Sequence, residues 1–384
     1  MLTWLAITAI GITSLAHFGS IGILAGRIRG KRAPVAFDGT PPSVSIVRPI
    51  CGLENYLEEC IASSFQLTYA NYEVLFCADD ENDSAIPLVR RFMEQYPEVD
   101  ARLVTGRDRI GLNPKLNNVV KGFREARSDW IIMNDSNAVL EPDYVEQLLA
   151  CWGANTGVVS TATIVDHAEN FAADLECAFM NALQARWVLA ADSIGVSFAL
   201  GKSLMYHRAT FEGLGGLPRL AEYSAEDIAT THLMRGAGLG IKLAQDPVRQ
   251  PIGRRPFKEV VARQVRWARF RRTGFRGLYA VEPLNGGFVP MLSVVGLAAG
   301  GTIAWWMAAA FAALWYGAEA LLPRAIGWPS SHRTLGAILL RDLLLPAIWL
   351  TGLFGNKFEW RGNTMTVARP RRGEAPAVME AEQG

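Results

Sequence analysis

Residues 2–25, LTWLAITAIGITSLAHFGSIGILA, contain no Asp, Glu, Lys or Arg. A helix rises ~1.5 Å per residue, so this run is long enough to cross a hydrocarbon core of ~30 Å. A cleaved signal peptide carries its cations ahead of the apolar run, whereas here Arg27, Arg29, Lys31 and Arg32 follow it. By the positive-inside rule, residues 1–26 read as a transmembrane anchor with its N-terminus outside and the next domain in the cytoplasm. A buried core helix is the alternative reading.

Two further apolar blocks lie towards the other end of the chain. Residues 288–322 hold Glu319 as their charged side chain and Gly300 and Gly301 near the middle. That length allows one long tilted helix or a cramped hairpin of two. Residues 335–354 carry Arg341 and Asp342 at their centre, which predicts a helix lying at the interface or packed against its neighbours. Residues 287–355 are therefore expected to form a C-terminal membrane region. Lys357, Arg361, Arg369, Arg371 and Arg372 put the tail, residues 356–384, in the cytoplasm, its end from residue 370 disordered. Over the whole chain, 38 Lys and Arg against 37 Asp and Glu leave a net charge of +1. That balance excludes a general polyanion binder, and no nucleic-acid partner is expected.

From residue 41 to 286 short apolar runs alternate with helical spacing. SVSIVRPI (43–50), YEVLFCADD (72–80), ARLVTG (101–106) and DWIIMNDS (129–136) read as strands. LEECIASSFQL (57–67), AIPLVRRFMEQY (85–96) and KLNNVVKGFREA (115–126) read as helices. The alternation predicts an α/β domain with a largely parallel sheet. Such sheets bind ligands beyond the C-terminal ends of their strands, where Asp79, Asp80 and Asp135 fall. Glu226 and Asp227, in YSAEDIATTHLMRGAG (223–238), begin a further helix. Each acid alone is also explained as a helix cap. Together with the cations of ARQVRWARFRR (262–272), they suit a reaction needing carboxylates for a nucleotide, a metal and a base, and cations for a leaving diphosphate. Cys51, Cys60, Cys77, Cys151 and Cys177 form no CxxC pair, so neither a disulfide framework nor a zinc site is expected.

CADDENDSAI, NPKLNN, NDSN, AEYSAEDIA and RQVRW occur in that order along the chain, accompanied by LECAFMNALQARW, FALGKSLM and FEWRG. On these residues the chain resembles the ceramide glucosyltransferase family, a membrane-anchored branch of the glycosyltransferases with the GT-A (nucleotide-diphospho-sugar transferase) fold. The likeness extends from about residue 43 to 362. It implies a cytoplasmic GT-A domain over residues 41–286, flanked by N- and C-terminal transmembrane or interfacial helices. The implied reaction is an inverting transfer of one sugar from a UDP-sugar, UDP-glucose or UDP-glucuronate, to the primary hydroxyl of ceramide. Such a hexosyltransferase belongs to sphingolipid metabolism and glycolipid biosynthesis. A hopanoid polyol is the alternative acceptor, and a membrane lipid-binding scaffold is the non-enzyme alternative. The Ala- and Arg-rich composition points to a bacterium; with the apolar blocks and the cations beside them, the chain is expected to be an integral protein of the inner membrane, its active site facing the cytoplasm.

Residue by residue, the resemblance implies that Asp80 touches the uridine and that Asp135 holds a divalent cation, Mg2+ or Mn2+, on the diphosphate. Asp227 is the implied catalytic base, with Glu226 its rival. Lys115 approaches the uracil or a phosphate, a solvated lysine at a helix start being the alternative. Arg263, Arg266 and Trp267 fill the family's (Q/R)xxRW motif at the donor, and Arg in the first slot favours a lipid acceptor. Asn137 stands where many such enzymes carry a second acid, so the cation would be completed by waters and the donor's own phosphate oxygens. Negative charge grows on the leaving diphosphate in the transition state, where fixed guanidiniums help most. Arg266 suits bidentate phosphate contacts, and Trp267 offers a flat wall near the sugar or acceptor. Arg269, Arg271, Arg272 and Arg276 are expected at the membrane surface.

Overall fold

The computed structural model describes residues 1–30, 40–360 and 363–367. Lys31, Arg32, Arg361, Arg369, Arg371, Arg372 and the end of the tail lie outside the described residues. The strands in chain order are β1 (Val44–Pro49), β2 (Tyr72–Ala78), β3 (Asp100–Thr105), β4 (Trp130–Asn134), β5 (Thr156–Ser160), β6 (Thr163–Ala168), β7 (Ser203–His207), β8 (Gly240–Leu243), β9 (Val248–Gly253), β10 (Lys357–Trp360) and β11 (Asn363–Thr366). The chain divides into two units. One comprises Arg32–Ala162, Ser197–Pro251 and Thr366–Gly384; the other comprises Met1–Lys31, Thr163–Val196 and Ile252–Met365.

The first unit is built on a seven-stranded sheet in the order β3-β2-β1-β4-β7-β5-β8. β1 runs parallel to β2 and β4, β2 to β3, and β5 to β8. β7 is antiparallel to both β4 and β5, so the largely parallel sheet contains one reversed strand. Successive side chains of a strand point to opposite faces. Leu75 and Cys77 pack with Val47, Leu116, Val119 and Phe123 on one face, while Val74, Phe76 and Ala78 pack with Ile50, Ile61, Phe65 and Val89 on the other. Covering on both faces is why β2 reads as a continuous apolar run, and each fully buried Leu or Phe there contributes ~1.5–3 kcal/mol.

The helix Pro114–Glu125 shows how the sequence builds one wall of this unit. Asn113 accepts from the Lys115 amide at 2.9 Å, and Pro114 sits in the first turn, where a missing N–H costs nothing. Gly122 lets the helix lie close on the sheet, since a Cβ there would stand 2.5 Å from Cys77 Sγ and 2.6 Å from Val47 Cγ1.

The second unit contains α1 (Leu2–Arg29) and Thr334–Leu353, the two helices long and apolar enough to cross a membrane among the described residues; a bent pair, Arg276–Leu284 with Phe288–Ala299, makes a third when counted as one span. The block 288–322 is resolved as two helices, Phe288–Ala299 and Trp305–Ile326, parted at Gly300 and Gly301. In the third block, packing against neighbouring helices is observed. Arg341 is fully buried and reaches Glu319 Oε1 at 2.6 Å and Asp342 Oδ1 at 2.7 Å. Asp342 in turn accepts from the Gly287 amide at 2.6 Å. Arg186, also fully buried, lies 3.1 Å from His17 of α1 and 3.9 Å from Glu319. Buried charge is therefore paired across several helices, as a medium that cannot solvate it requires.

Candidate active site

The centre of the site follows from strand register. β4 and β7 are antiparallel with Asn134 opposite Ser203, so the next residue of one chain direction, Asp135, faces the residue before the other, Lys202. The Asp135 amide donates to the Lys202 carbonyl at 3.0 Å. Behind them the fully buried Arg48, on β1, donates to the carbonyls of Asp135 at 2.9 Å and Ala138 at 2.6 Å, which fixes the loop leaving β4.

Around this loop charged side chains form a continuous chain. The buried ammonium of Lys115 lies 2.6 Å from Asp135 Oδ1 and 2.8 Å from Glu226 Oε1. Lys202 donates to Asp135 Oδ2 at 3.1 Å and also to Asn137 Oδ1. Asn137 donates in turn to Glu54 Oε2 at 2.7 Å. Burial alone would raise the Asp135 carboxyl, but the ammoniums of Lys115 and Lys202 hold it down at about 2. Burial likewise opposes the charge on Lys115, yet Asp135 and Glu226 together raise it above the usual lysine range.

Glu226 and Asp227 open the helix Glu226–Gly236. Glu226 is held by Lys115 and by the Asn113 amide nitrogen, which donates to Oε2 at 2.8 Å. Asp227 Oδ1 accepts from the Ile228 amide at 2.8 Å. Burial raises the Asp227 carboxyl to about 7, with the neighbouring Glu226 charge adding to the effect. Gly201 gives both carboxylates room, because a Cβ there would stand 2.9 Å from Glu226 Oε1 and 3.7 Å from Asp227 Oδ2.

Asp79 and Asp80 follow β2, at the edge expected of a ligand-binding strand end. Asp80 is half-exposed, accepts from the Asn82 amide at 2.9 Å and lies 3.8 Å from Arg107. Asp79 lies 3.4 Å from Lys121 and 3.9 Å from Arg109. These are long, partly solvated pairs of little energetic weight, so both carboxylates are easily redirected.

Arg263, Arg266 and Trp267 belong to the second unit, on the helix Phe257–Gly274. Spacings of three and four residues put them on one helical face. Arg263 pairs with the buried Glu176, which Arg255 also approaches at 3.6 Å. Burial, with the like charge of Arg263 adding to it, lowers the Arg266 guanidinium to about 10. Trp267 packs on Val165, Ala173, Met180 and Ile252. Of the arginines expected at a membrane surface, Arg271 meets Glu282 at 3.1 Å, and Arg272 donates to the Gly355 carbonyl at 3.0 Å.

The structure therefore brings Lys115, Asp135 and the Glu226–Asp227 pair together in one unit. Sequence reasoning missed Lys202, Asn113, Gly201 and Glu176. Lys202 and Gly201 lie in FALGKSLM, but their place opposite Asp135 depends on a register between segments far apart in the chain. Glu176 lies in a run whose spacing alone reads as an ordinary helix.

Among the described residues no group of three or more His, Cys, Asp or Glu side chains is placed to hold a metal ion. Asp135 Oδ2 and Asn137 Oδ1 do converge on one ammonium, that of Lys202. Such oxygens fit Mg2+ or Mn2+ if phosphate oxygens and waters complete the shell.

The chain matches the model of glycosyl transferase family 21 over residues 4–372. It is 28% identical over 250 residues to ceramide glucosyltransferase 1 of Caenorhabditis elegans, a match covering 65% of this chain and 54% of that protein. It is 40% identical over 106 residues to a ceramide glucosyltransferase of Candida albicans, covering 24% of this chain and 20% of that one. The chain thus spans about half the length, 54%, of the Caenorhabditis elegans relative. Its structure is similar to that of the mannosyltransferase PcManGT from Pyrobaculum calidifontis in complex with GDP-Man and Mn2+, with a TM-score of 0.52 and 20% identity over 89% of this chain and 99% of that one. That likeness carries the fold, GT-A, in which that neighbour takes up a nucleotide sugar and a divalent ion.

Proposed function

The chain belongs to glycosyl transferase family 21, and on that premise we propose that it is an inverting hexosyltransferase moving one sugar from a UDP-sugar to the primary hydroxyl of ceramide. The observation that supports this reading most is Asp227, a carboxyl ionising at about 7 one residue from the Glu226–Lys115–Asp135 network. A base poised near the working pH combines the right protonation state with driving force for proton transfer. The acceptor hydroxyl attacks the anomeric carbon, its proton passes to Asp227, and the bond from that carbon to the diphosphate oxygen breaks with its electron pair leaving on UDP. Lys115 and Asp135 orient the donor, and Asp80 meets its uridine. For Arg263, Arg266 and Trp267 the donor role comes from the motif alone. A divalent cation bound at Asp135 and Asn137 would supply positive charge to the diphosphate.

UDP-glucose or UDP-glucuronate is the proposed donor. The protein is proposed to be integral to a bacterial inner membrane with this site facing the cytoplasm; a reporter fused at Lys31 should then read as cytoplasmic, and an external reading would overturn the orientation. Lipid mass spectrometry of cells with and without the gene tests the acceptor. A hexosyl or hexuronosyl ceramide should vanish on deletion. Unchanged sphingolipids with loss of a glycosylated hopanoid would replace ceramide by a hopanoid polyol. UDP release from UDP-sugars by the purified protein separates an enzyme from a lipid-binding scaffold.

A further inference from the structure

Lys202 lies in FALGKSLM, a segment to which the family likeness attaches no role, yet its ammonium contacts Asp135 and Asn137 in the donor half of the site. Three features single it out. First, it is backbone-fixed: its carbonyl accepts from the Asp135 amide at 3.0 Å and from the Asn134 side chain at 3.2 Å, so β4 and β7 hold it opposite Asp135. Second, its partners are unequal. Lys115 is shared between two carboxylates, Asp135 and Glu226, whereas Lys202 faces Asp135 on one side and the neutral Asn137 amide on the other. Of the two ammoniums, Lys202 therefore has charge to spare. Third, the Asn137 amide is oriented by Glu54, which takes its N–H at 2.7 Å and so leaves its oxygen for a cation. An ammonium has three donors, and two of those of Lys202 are engaged by Asp135 and Asn137, with its side chain 17% exposed.

We propose that Lys202 is a donor-binding residue, a fixed monovalent cation that holds the metal's place between Asp135 and Asn137 in the donor-free protein and bonds the nucleoside diphosphate directly. Donor recognition at this site then does not require a divalent ion, and a divalent ion competes with Lys202 for the same two oxygens. A carboxylate paired with two ammoniums is a poor metal ligand until one is drawn away, and a diphosphate oxygen is the group able to draw Lys202 away while remaining bonded to it. The inference rests on the donor reading of Asp135.

The test is calorimetric titration of the full chain in detergent with UDP, in EDTA and in Mn2+, alongside electron paramagnetic resonance titration of Mn2+ alone. Wild type should bind UDP in EDTA within about tenfold of its affinity in Mn2+. Lys202→Gln should weaken binding in EDTA by about tenfold or more, lose less in Mn2+, and bind Mn2+ alone more tightly. Lys202→Arg, which keeps the charge, should retain binding in EDTA. Wild type that binds UDP in Mn2+ but not in EDTA would overturn the proposal and leave the donor reading intact, and this arm needs no variant to fold. Equal EDTA affinities for wild type and Lys202→Gln, or an unchanged Mn2+ affinity, would also overturn it. Wild type that binds UDP in neither condition would sink the donor reading, and this proposal with it.

Discussion

Glu226 and Asp227 are neighbours on the first turn of one helix, and their carboxylates are held differently. Glu226 is ion-paired to Lys115 at 2.8 Å, while Asp227 accepts from the Ile228 amide at 2.8 Å beside an already charged Glu226. Burial and that like charge raise Asp227 to about 7. The two adjacent acids thus sit in different surroundings, Glu226 against an ammonium and Asp227 against a backbone amide, the kind of difference that separates acid and base roles in one site. Glu226 is the rival for the base, and its ion pair with Lys115 is the reason to prefer Asp227.

The raised carboxyl has a consequence for stability. An unfolded Asp ionises at ~3.9, so between that value and about 7 the folded protein binds more protons than the unfolded chain. Stability therefore falls as pH rises through this window. Asp227→Asn removes the buried charge and should raise the melting temperature at pH ~8 while leaving it nearly unchanged at pH ~4. Thermal unfolding of both proteins at both pH values checks this; an equal or lower melting temperature for the variant at the higher pH contradicts it.

Lys115 lowers the Asp227 carboxyl through its charge, against the larger effects of burial and Glu226. Lys115→Met should therefore move the acidic limb of the kcat/KM profile to higher pH. It also leaves Glu226 without its ammonium and Asp135 with Lys202 alone, and removing one partner of a buried pair typically costs ~3–5 kcal/mol. A pH profile that does not move, in a variant whose unfolding shows this loss, would mean that Lys115 serves folding and leaves the base untouched.

Much of the first unit was legible in the sequence because β1 to β4 and the helices between them are local and strongly patterned. The helix read from residue 115 starts at Pro114, and the apolar run Val74–Ala78 is what a strand covered on both faces must look like. The position of Asp135 at a strand end was also legible, because a polar residue directly follows WIIMN. What was not legible depends on pairing between distant segments. Lys202 faces Asp135 through an antiparallel register that no local pattern encodes, and β7 reverses direction in a sheet expected to be parallel. Lys115 offered two readings at the sequence level, a donor contact or a solvated lysine. Its burial between two acids, at 2.6 and 2.8 Å, removes the solvated one.

The buried charges of the apolar unit make a separate prediction. Arg341 compensates both Glu319 and Asp342, at 2.6 and 2.7 Å. Arg341→Met should leave the buried Asp342 without its cation and Glu319 with only the longer Arg186 contact at 3.9 Å, and destabilise the protein by ~3–5 kcal/mol. Glu319→Gln in the same chain should recover part of that loss. Thermal unfolding in detergent distinguishes this from an energetically idle cluster, for which the single variant would melt with wild type.

The central claim is that Asp227 takes the proton from the acceptor hydroxyl. Its most direct test is the rate of sugar transfer from a UDP-sugar to ceramide in mixed micelles by wild type and Asp227→Asn, with UDP affinity measured on the same preparations. The account predicts a fall in transfer of ~10²–10⁴ with UDP binding nearly unchanged. Retention of more than about a tenth of the wild-type rate, a loss far smaller than a positioned base contributes, would contradict it.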